Sequence, residues 1–594
     1  MVSGRLSGRA AGVPVPVHQP VGRWVRESST GLIGLAVVIG AGSGAGAVAF
    51  RWLITTFTRL FSGHADYSAA GGQAHPWFPA LGPWFLLIAP VVAGLVYGPL
   101  VYRFAPEARG HGVPEVMYAV AERGGRIPAQ VTVVKAVASA MCIGSGGSVG
   151  REGPIVQIGS ALGSTLGRMT QLPESRLRVL VACGAAGGIA ATFNAPLAGP
   201  FFAMELILRD FAVESFGAVV LSSVTASVVG RAVFGNTPFL DLPPFTLRNP
   251  IEYLLFVVLG IVVGACGVLF TRVLYWIEDA CDWVWRGPEW LRPAVGGLVL
   301  GGLLLLLPQM YGVGYPVLQN AVEGRYVFGF LLLLLVGKVV ATSLTIGIGG
   351  SGGVFAPSLF IGAMGGTAFG VAAHAWLPSL TASPGVYGLI GMGAAFAGAA
   401  RAPITAVVIL FELTGQYTII LPMLTAIVIA TATSKALLGQ DTIYTLKLRR
   451  RGVNIDRSPE SRRLGALTVS EVMEPLPEPL PAKADLADAA HALAVSGHGI
   501  LPVVGDDGRY RGCVTARAVA ETLAADEKAT TSIADLAELP PLLTPDSSLT
   551  DALTALTNAP GTGLPVLSAE HELTGWLTHQ AVLDALYPAK VAAT

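Results

Sequence analysis

Two glycine-rich segments deep in apolar sequence hold the residues best suited to chemistry. Residues 144–154 read GSGGSVGREGP and residues 347–357 read GIGGSGGVFAP, at an offset of 203. In each, glycines precede a proline (Pro154, Pro357) that suits the first turn of a helix. The start of a helix offers free backbone N–H groups and the positive end of a dipole. Such a start binds an anion without a full positive charge in the membrane. One position breaks the symmetry: Glu152 in the first copy faces Phe355 in the second. A carboxylate is a tethered anion, so Glu152 is a candidate gate that blocks an anion site and leaves it on protonation. An ionisable group at membrane depth is costly and usually functional. The plainer alternative is a structural ion pair with Arg151.

The repeat extends well beyond these segments. Lys135 pairs with Lys338, Gly146-Gly147-Ser148 with Gly349-Gly350-Ser351, and Ile158-Gly159 with Ile361-Gly362; 14 of 31 positions between 133 and 163 are identical. A second pair follows at an offset of 207, where Asn194-Ala195-Pro196 and Glu205 match Arg401-Ala402-Pro403 and Glu412. Glu205 and Glu412 are read as structural helix contacts. Lys135 and Lys338 are either helix-end lysines snorkelling to the interface or a source of positive potential for anions. A duplicated membrane half with broken helices in matching places points to a transport site between the halves. An odd number of crossings per half would invert one half relative to the other.

Composition agrees with a membrane location. The 594 residues are 52% hydrophobic and 13% charged, with a mean hydropathy of +0.61, against about 25% charged in soluble proteins. Apolar runs long enough to span a bilayer recur between about 31 and 440, as at Trp84–Val101, Tyr253–Phe270 and Tyr326–Leu344. The 74 glycines suit close helix packing and broken helices. Zero net charge suggests no nucleic-acid partner. Five cysteines without CxxC spacing suggest neither a disulfide framework nor a zinc site. No nucleophile–base pair or metal cluster stands out, so an enzyme is not expected; His111 and His374 each lack an evident partner set.

Residues 1–30 carry Arg5, Arg9, Arg23 and Arg26 with no apolar core, which is not a signal peptide. Lys447, Arg449, Arg450, Arg451, Arg457, Arg462 and Arg463 cluster after the last span. The positive-inside rule then puts both termini in the cytoplasm. Beyond about 445 the sequence turns soluble and repeats at an offset of 63: LPVV at 501–504 recurs as LPVL at 564–567, and GCVT at 512–515 as GWLT at 575–578. Helical patterns at 484–495 and 549–557, short strands and an Asp506-Asp507-Gly508 turn describe two small α/β modules.

Four motifs in order carry a family resemblance: GHGVP at 110–114, GREGP at 150–154, FNAPLAG at 193–199 and GVFAP at 353–357. Over about residues 30–450 the chain resembles the CLC family of chloride channels and proton-coupled chloride transporters. The tail resembles a tandem pair of CBS domains. The resemblance implies an all-α polytopic membrane domain, an inverted repeat of two halves with broken helices, followed by a cytoplasmic α/β CBS pair. The expected layout is a tail at 1–30, half one at 31–235, half two at 250–445, a basic linker at 446–465, and CBS modules at 466–526 and 530–590. It further implies a homodimer in the plasma or inner membrane, with one pore per subunit, chloride as substrate, Glu152 as gate and outer proton carrier, and no cofactor. The chloride-binding set it implies is Tyr444, Phe355, Val354, Gly353, Gly150, Arg151, His111 and Gly112. Tyr444 would offer a hydroxyl without a charge, which lets the ion leave again.

Three departures qualify these expectations. A serine usually stands where this chain has His111, which either donates N–H to the anion or turns aside in favour of a backbone amide. Proton-coupled members usually carry an inner carboxylate where this chain has Leu206. That leans the reading towards a passive voltage- or pH-gated chloride channel, with a proton-coupled antiporter of non-standard proton path as the alternative. In the CBS pair, Ala518 and Ala581 replace the acidic residue that usually holds a nucleotide ribose, so adenine-nucleotide binding is doubtful.

Overall fold

Among the described residues, the apolar part of the chain folds as two sets of eight helices in the same order, with one further short helix (Tyr67–Ala70) in the first half. The structure, a computed structural model, describes residues 28–235, 249–455, 464–465, 467–525, 532–559 and 561–586. The N-terminal arginines, most of the 236–250 loop and Arg457, Arg462 and Arg463 lie outside the described residues. The first set is α1 (Ser29–Ser62), α2 (Phe85–Phe104), α3 (Val113–Glu122), α4 (Gln130–Gly144), α5 (Glu152–Met169), α6 (Glu174–Phe193), α7 (Ala198–Phe202, continued by a wider turn to Leu208) and α8 (Val213–Phe234). The second is α9 (Glu252–Val284), α10 (Arg292–Leu306), α11 (Tyr315–Val322), α12 (Phe328–Gly347), α13 (Phe355–Trp376), α14 (Pro384–Ala400), α15 (Pro403–Thr414) and α16 (Ile420–Leu438). A short helix, α17 (Thr445–Arg450), follows.

Eight helical stretches among the described residues are long and apolar enough to cross a membrane. Several carry rows of exposed apolar side chains, such as Leu254, Val258, Ile261 and Leu269 on α9. In water that surface would be prohibitive; in lipid it is the solvated face. Other helices are buried almost throughout and need small residues to pack. A Cβ on Gly159 of α5 would lie 2.1 Å from the Gly184 carbonyl of α6, and one on Gly362 of α13 would lie 2.3 Å from the Gly391 carbonyl of α14. The same close crossing therefore recurs in both halves.

The halves meet symmetrically. Gly150 and Gly353, equivalent residues of the two repeats, exchange both backbone hydrogen bonds at 2.7 and 2.6 Å in an antiparallel bridge. A pair of that kind has local two-fold symmetry.

The chain divides into two units, Met1–Val453 and Asn454–Thr594. In the second, β1 (Leu480–Pro481), β2 (Ile500–Val504) and β3 (Tyr510–Thr515) form one sheet, parallel then antiparallel. β4 (Gly563–Leu567) and β5 (Leu573–Thr578) form another, antiparallel. Helices α18 (Leu486–Ser496), α19 (Ala516–Ala524), α20 (Leu549–Thr557) and α21 (His579–Leu586) pack on them. Leu486, Leu493, Leu501 and Val514 fill one core; Leu549, Leu556, Leu564 and Leu577 fill the other. Ile500, Cys513 and Trp576 join the two modules. Gly508, with φ of 72°, closes the β2–β3 turn. All five cysteines are free. Burial pushes the Cys513 thiol up to about 11, which leaves it inert.

Candidate functional site

The site forms where four segments end or begin. Helices α3, α5, α13 and α17 start at Val113, Glu152, Phe355 and Thr445, after Gly112, Arg151, Val354 and Tyr444. The preceding loops are tied together. Gly110 N–H donates to Gly350 O at 3.1 Å and Gly352 N–H to Gly110 O at 3.3 Å. The Gly150–Gly353 bridge locks the other two loops. No side chain fits here: a Cβ on Gly153 would fall 2.1 Å from the His111 carbonyl, and one on Gly353 would fall 2.7 Å from the Gly153 amide. Gly112 also holds a φ of 78°, which favours glycine.

Glu152 is 1% exposed and turns back across the repeat. Its Oε2 accepts from the Ala356 amide in the first turn of α13, at 3.4 Å. Its Oε1 accepts from the Tyr315 hydroxyl at 2.5 Å. A carboxylate on the N-terminus of a helix is the arrangement an anion site favours. The amide that meets the carboxylate is that of Ala356, one residue past the Val354–Phe355 pair named by the motif. The Phe355 ring does not point at the site's polar groups but packs on Phe396 and Phe193, with centroids 4.5 and 5.5 Å away. Arg151 donates to Thr192 O at 3.4 Å and lies 5.2 Å above the Tyr315 ring.

His111 is 1% exposed, and neither ring nitrogen has a protein hydrogen-bond partner. Its ring lies 6.2 Å from that of Tyr444 and 6.5 Å from that of Tyr275. Tyr275 is anchored separately, donating to Ile443 O at 2.6 Å. A buried imidazole with both nitrogens unsatisfied calls for a ligand.

Of the two readings of the twin lysines, the structure excludes snorkelling. Both are fully buried, so neither snorkels. Lys135 Nζ donates to the carbonyls of Ala108 and Gly110, each at 2.8 Å. Lys338 Nζ donates to Ser148 Oγ at 2.9 Å and to the carbonyls of Gly312 and Val313 at 3.1 and 3.0 Å. Each lysine therefore holds the loop that leads into a short helix, α3 or α11. Snorkelling fails because these loops fold back over the lysines and supply acceptors in place of water.

Tyr315 was not expected from the motifs. Its signal is a repeat of GHGVP (110–114) as GVGYP (312–316), at an offset of 202. In that pairing Tyr315 matches Val113, so the second half carries a polar group where the first does not.

Two recesses approach the site. One, of about 470 Å³, is lined by Arg51, Asp66, Arg151, Tyr315 and Gln319. The other, of about 540 Å³, is lined by Arg109, Tyr275, Glu278, Lys447 and Arg450 among others. Leu206 lies away from both linings, buried in the turn after α7. Glu205 beside it accepts from the Ile404 and Thr405 amides at 3.2 and 2.8 Å.

A profile described as voltage-gated chloride channel matches residues 93–435, and one for the CBS domain matches 469–525. The chain is 33% identical to the "Putative chloride channel protein ClcB-like" of Ralstonia nicotianae over 423 residues, covering 70% of this chain and 97% of that protein. It is 37% identical to the "H(+)/Cl(-) exchange transporter ClcA" of Vibrio parahaemolyticus over 372 residues, covering 61% and 79%. Among solved structures it is similar to a slow cyanobacterial Cl−/H+ antiporter, with a TM-score of 0.64, 27% identity, and coverage of 72% and 99%. A eukaryotic CLC transporter, at 22% identity, shares the fold over 93% of this chain and 97% of its own, with a TM-score of 0.61.

Proposed function

This chain belongs to the CLC family, an integral multi-pass membrane protein that transports chloride, and from that premise we propose that it exchanges chloride for protons through a pathway gated by Glu152. One observation carries the gating: the Glu152 carboxylate rests on the first turn of α13, where a free chloride would sit. Protonation removes the charge that holds it there, and an incoming anion takes its place. The same carboxyl then carries the proton in the opposite sense to the anion.

The coupling rests on relatives. Proteins 33–38% identical include several named as H(+)/Cl(-) exchange transporters, and a structural relative at 27% identity is an antiporter. The leaning towards a passive channel, drawn from Leu206, gives way to them. Leu206 still favours the channel as a second reading, since its side chain binds no proton and is 5% exposed.

The anion's ligands in this reading are the Val354 and Phe355 amides at the start of α13, the Tyr444 hydroxyl and a His111 N–H, while the Gly353 amide is already donated to Gly150 O and only shapes the loop. Gly150, Arg151 and Gly112 shape the loops around them. The α17 side, with Lys447 and Arg449–Arg451, faces the cytoplasm by the positive-inside rule, and both termini lie there. The protein works as a homodimer. Its CBS pair supports assembly without binding a nucleotide, since Ala518 and Ala581 offer no carboxylate to a ribose.

The test uses purified protein in liposomes under a chloride gradient, with pH recorded on both sides. Chloride-driven uphill proton movement supports exchange. Chloride flux with protons no faster than in empty liposomes supports the channel.

A further inference from the structure

Two of the residues that break the internal repeat meet each other. Glu152 replaces the Phe355 of the second half, and Tyr315 replaces the Val113 of the first. Their side chains join at 2.5 Å, phenol to Oε1. We propose that Tyr315 is the latch of the gate: its hydroxyl holds the Glu152 carboxylate against α13 and sets the pH at which the pathway opens.

This inference rests on Glu152 being the gate and adds the residue that restrains it. Tyr315 is built to stay in place. It is the first residue of α11, directly after Gly314 with φ of 88°. The loop before it is pinned by Lys338, whose Nζ donates to the Gly312 and Val313 carbonyls. The Arg151 guanidinium covers its ring at 5.2 Å. A phenol donates to a carboxylate strongly and to a neutral carboxyl weakly, so the latch holds only the closed, charged gate. Protonation of Glu152 releases both contacts at once. Tyr315 also lines the 470 Å³ recess with Arg51 and Arg151, so an arriving anion meets the latch as it reaches the gate.

The titratable and charged groups facing the pair come from several elements. Arg51 of α1 and Asp66 line the recess. Arg151 precedes α5, while Lys338 of α12 and Tyr444 lie within electrostatic reach of Glu152. Tyr315→Phe removes none of these groups and keeps the ring beneath Arg151, and it takes from Glu152 and Arg151 only the hydroxyl they share. The difference between the two pH profiles therefore isolates the hydroxyl.

The experiment measures chloride efflux from liposomes against pH for the wild type, Y315F, E152Q and the double variant, each confirmed monodisperse by gel filtration. Loss of one hydrogen bond to the charged form moves the half-activation pH of Y315F upward by about one unit. Efflux of Y315F at a pH above that midpoint rises by up to about tenfold, and Y315F/E152Q matches E152Q alone. The latch is overturned if Y315F follows the wild-type profile while E152Q has lost its pH dependence; the gate then stands without it. If E152Q keeps the wild-type profile, the gate itself fails and the latch fails with it.

Discussion

Glu205 and Glu412 cap each other's helices across the two halves. Glu205 accepts from the Ile404 and Thr405 amides at the start of α15, the helix that carries Glu412. Glu412 accepts from the Leu197 and Ala198 amides, at 2.9 and 2.7 Å, at the start of the segment that carries Glu205. Both carboxylates sit at helix N-termini, where the dipole favours them. The relationship makes two short helices into one reciprocal unit.

Removing either cap weakens that unit. Glu205→Ala or Glu412→Ala destabilises by about 2 kcal/mol, the cost of a lost N-cap and its charged hydrogen bonds. Thermal unfolding in detergent should show a lower midpoint for each, with chloride flux per folded protein preserved. Loss of coupled proton flux in Glu205→Ala at unchanged stability would instead place Glu205 on the proton path.

The buried lysines predict a sharper structural loss. Lys135→Met takes one donor each from the Ala108 and Gly110 carbonyls, which keep Ser351 Oγ and Gly352 N–H, at about 0.5–1.5 kcal/mol each. Lys338→Met strips the lysine donor from the Gly312 and Val313 carbonyls, at about 1–3 kcal/mol each, and frees the loop that carries Tyr315. Both variants should unfold at lower temperature than the wild type, and both should transport less chloride. A variant of normal stability whose flux falls only at low salt would favour long-range attraction of anions over loop clamping.

His111 should act through its N–H. His111→Ala loses one hydrogen bond to the anion and lowers chloride affinity about tenfold, whereas His111→Ser retains most of it. Calorimetric titration of detergent-solubilised protein with chloride checks both. Equal affinity in all three proteins would assign the contact to backbone amides alone.

The tail predicts an absence of response. The Thr515 and Thr578 hydroxyls accept from the Ala518 and Ala581 amides at 3.2 and 3.0 Å, so each caps the helix that follows it. No acid stands three residues on to hold a ribose. ATP or AMP at millimolar concentration should leave the unfolding midpoint of the full chain unchanged. A concentration-dependent rise would reveal a bound nucleotide.

Much of this was legible from spacing. The offset of 203 aligned Gly150 with Gly353, and the structure joins those residues by two hydrogen bonds. The twin of Glu205 at Glu412 foretold a symmetric structural role. Long apolar runs marked helices such as α9 and α12 to within a few residues at their starts, because their period and length have few other readings. Tyr315 was missed because its motif shares only two glycines and a proline with its twin, and because its partner lies 163 positions away in sequence. The snorkelling alternative for the lysines failed because burial depends on loops folding back, which hydropathy does not register. The orphaned nitrogens of His111 were beyond reach for the same reason: a polar residue's partners come from distant segments.

The most direct test of the gate is Glu152→Gln in liposomes, with chloride efflux and proton movement recorded together from about pH 4 to 8, which brackets a carboxyl's titration range. The account predicts fast chloride efflux that no longer varies with pH and no proton movement coupled to it. Efflux that keeps the wild-type pH dependence, or protons still driven uphill by chloride, would contradict it.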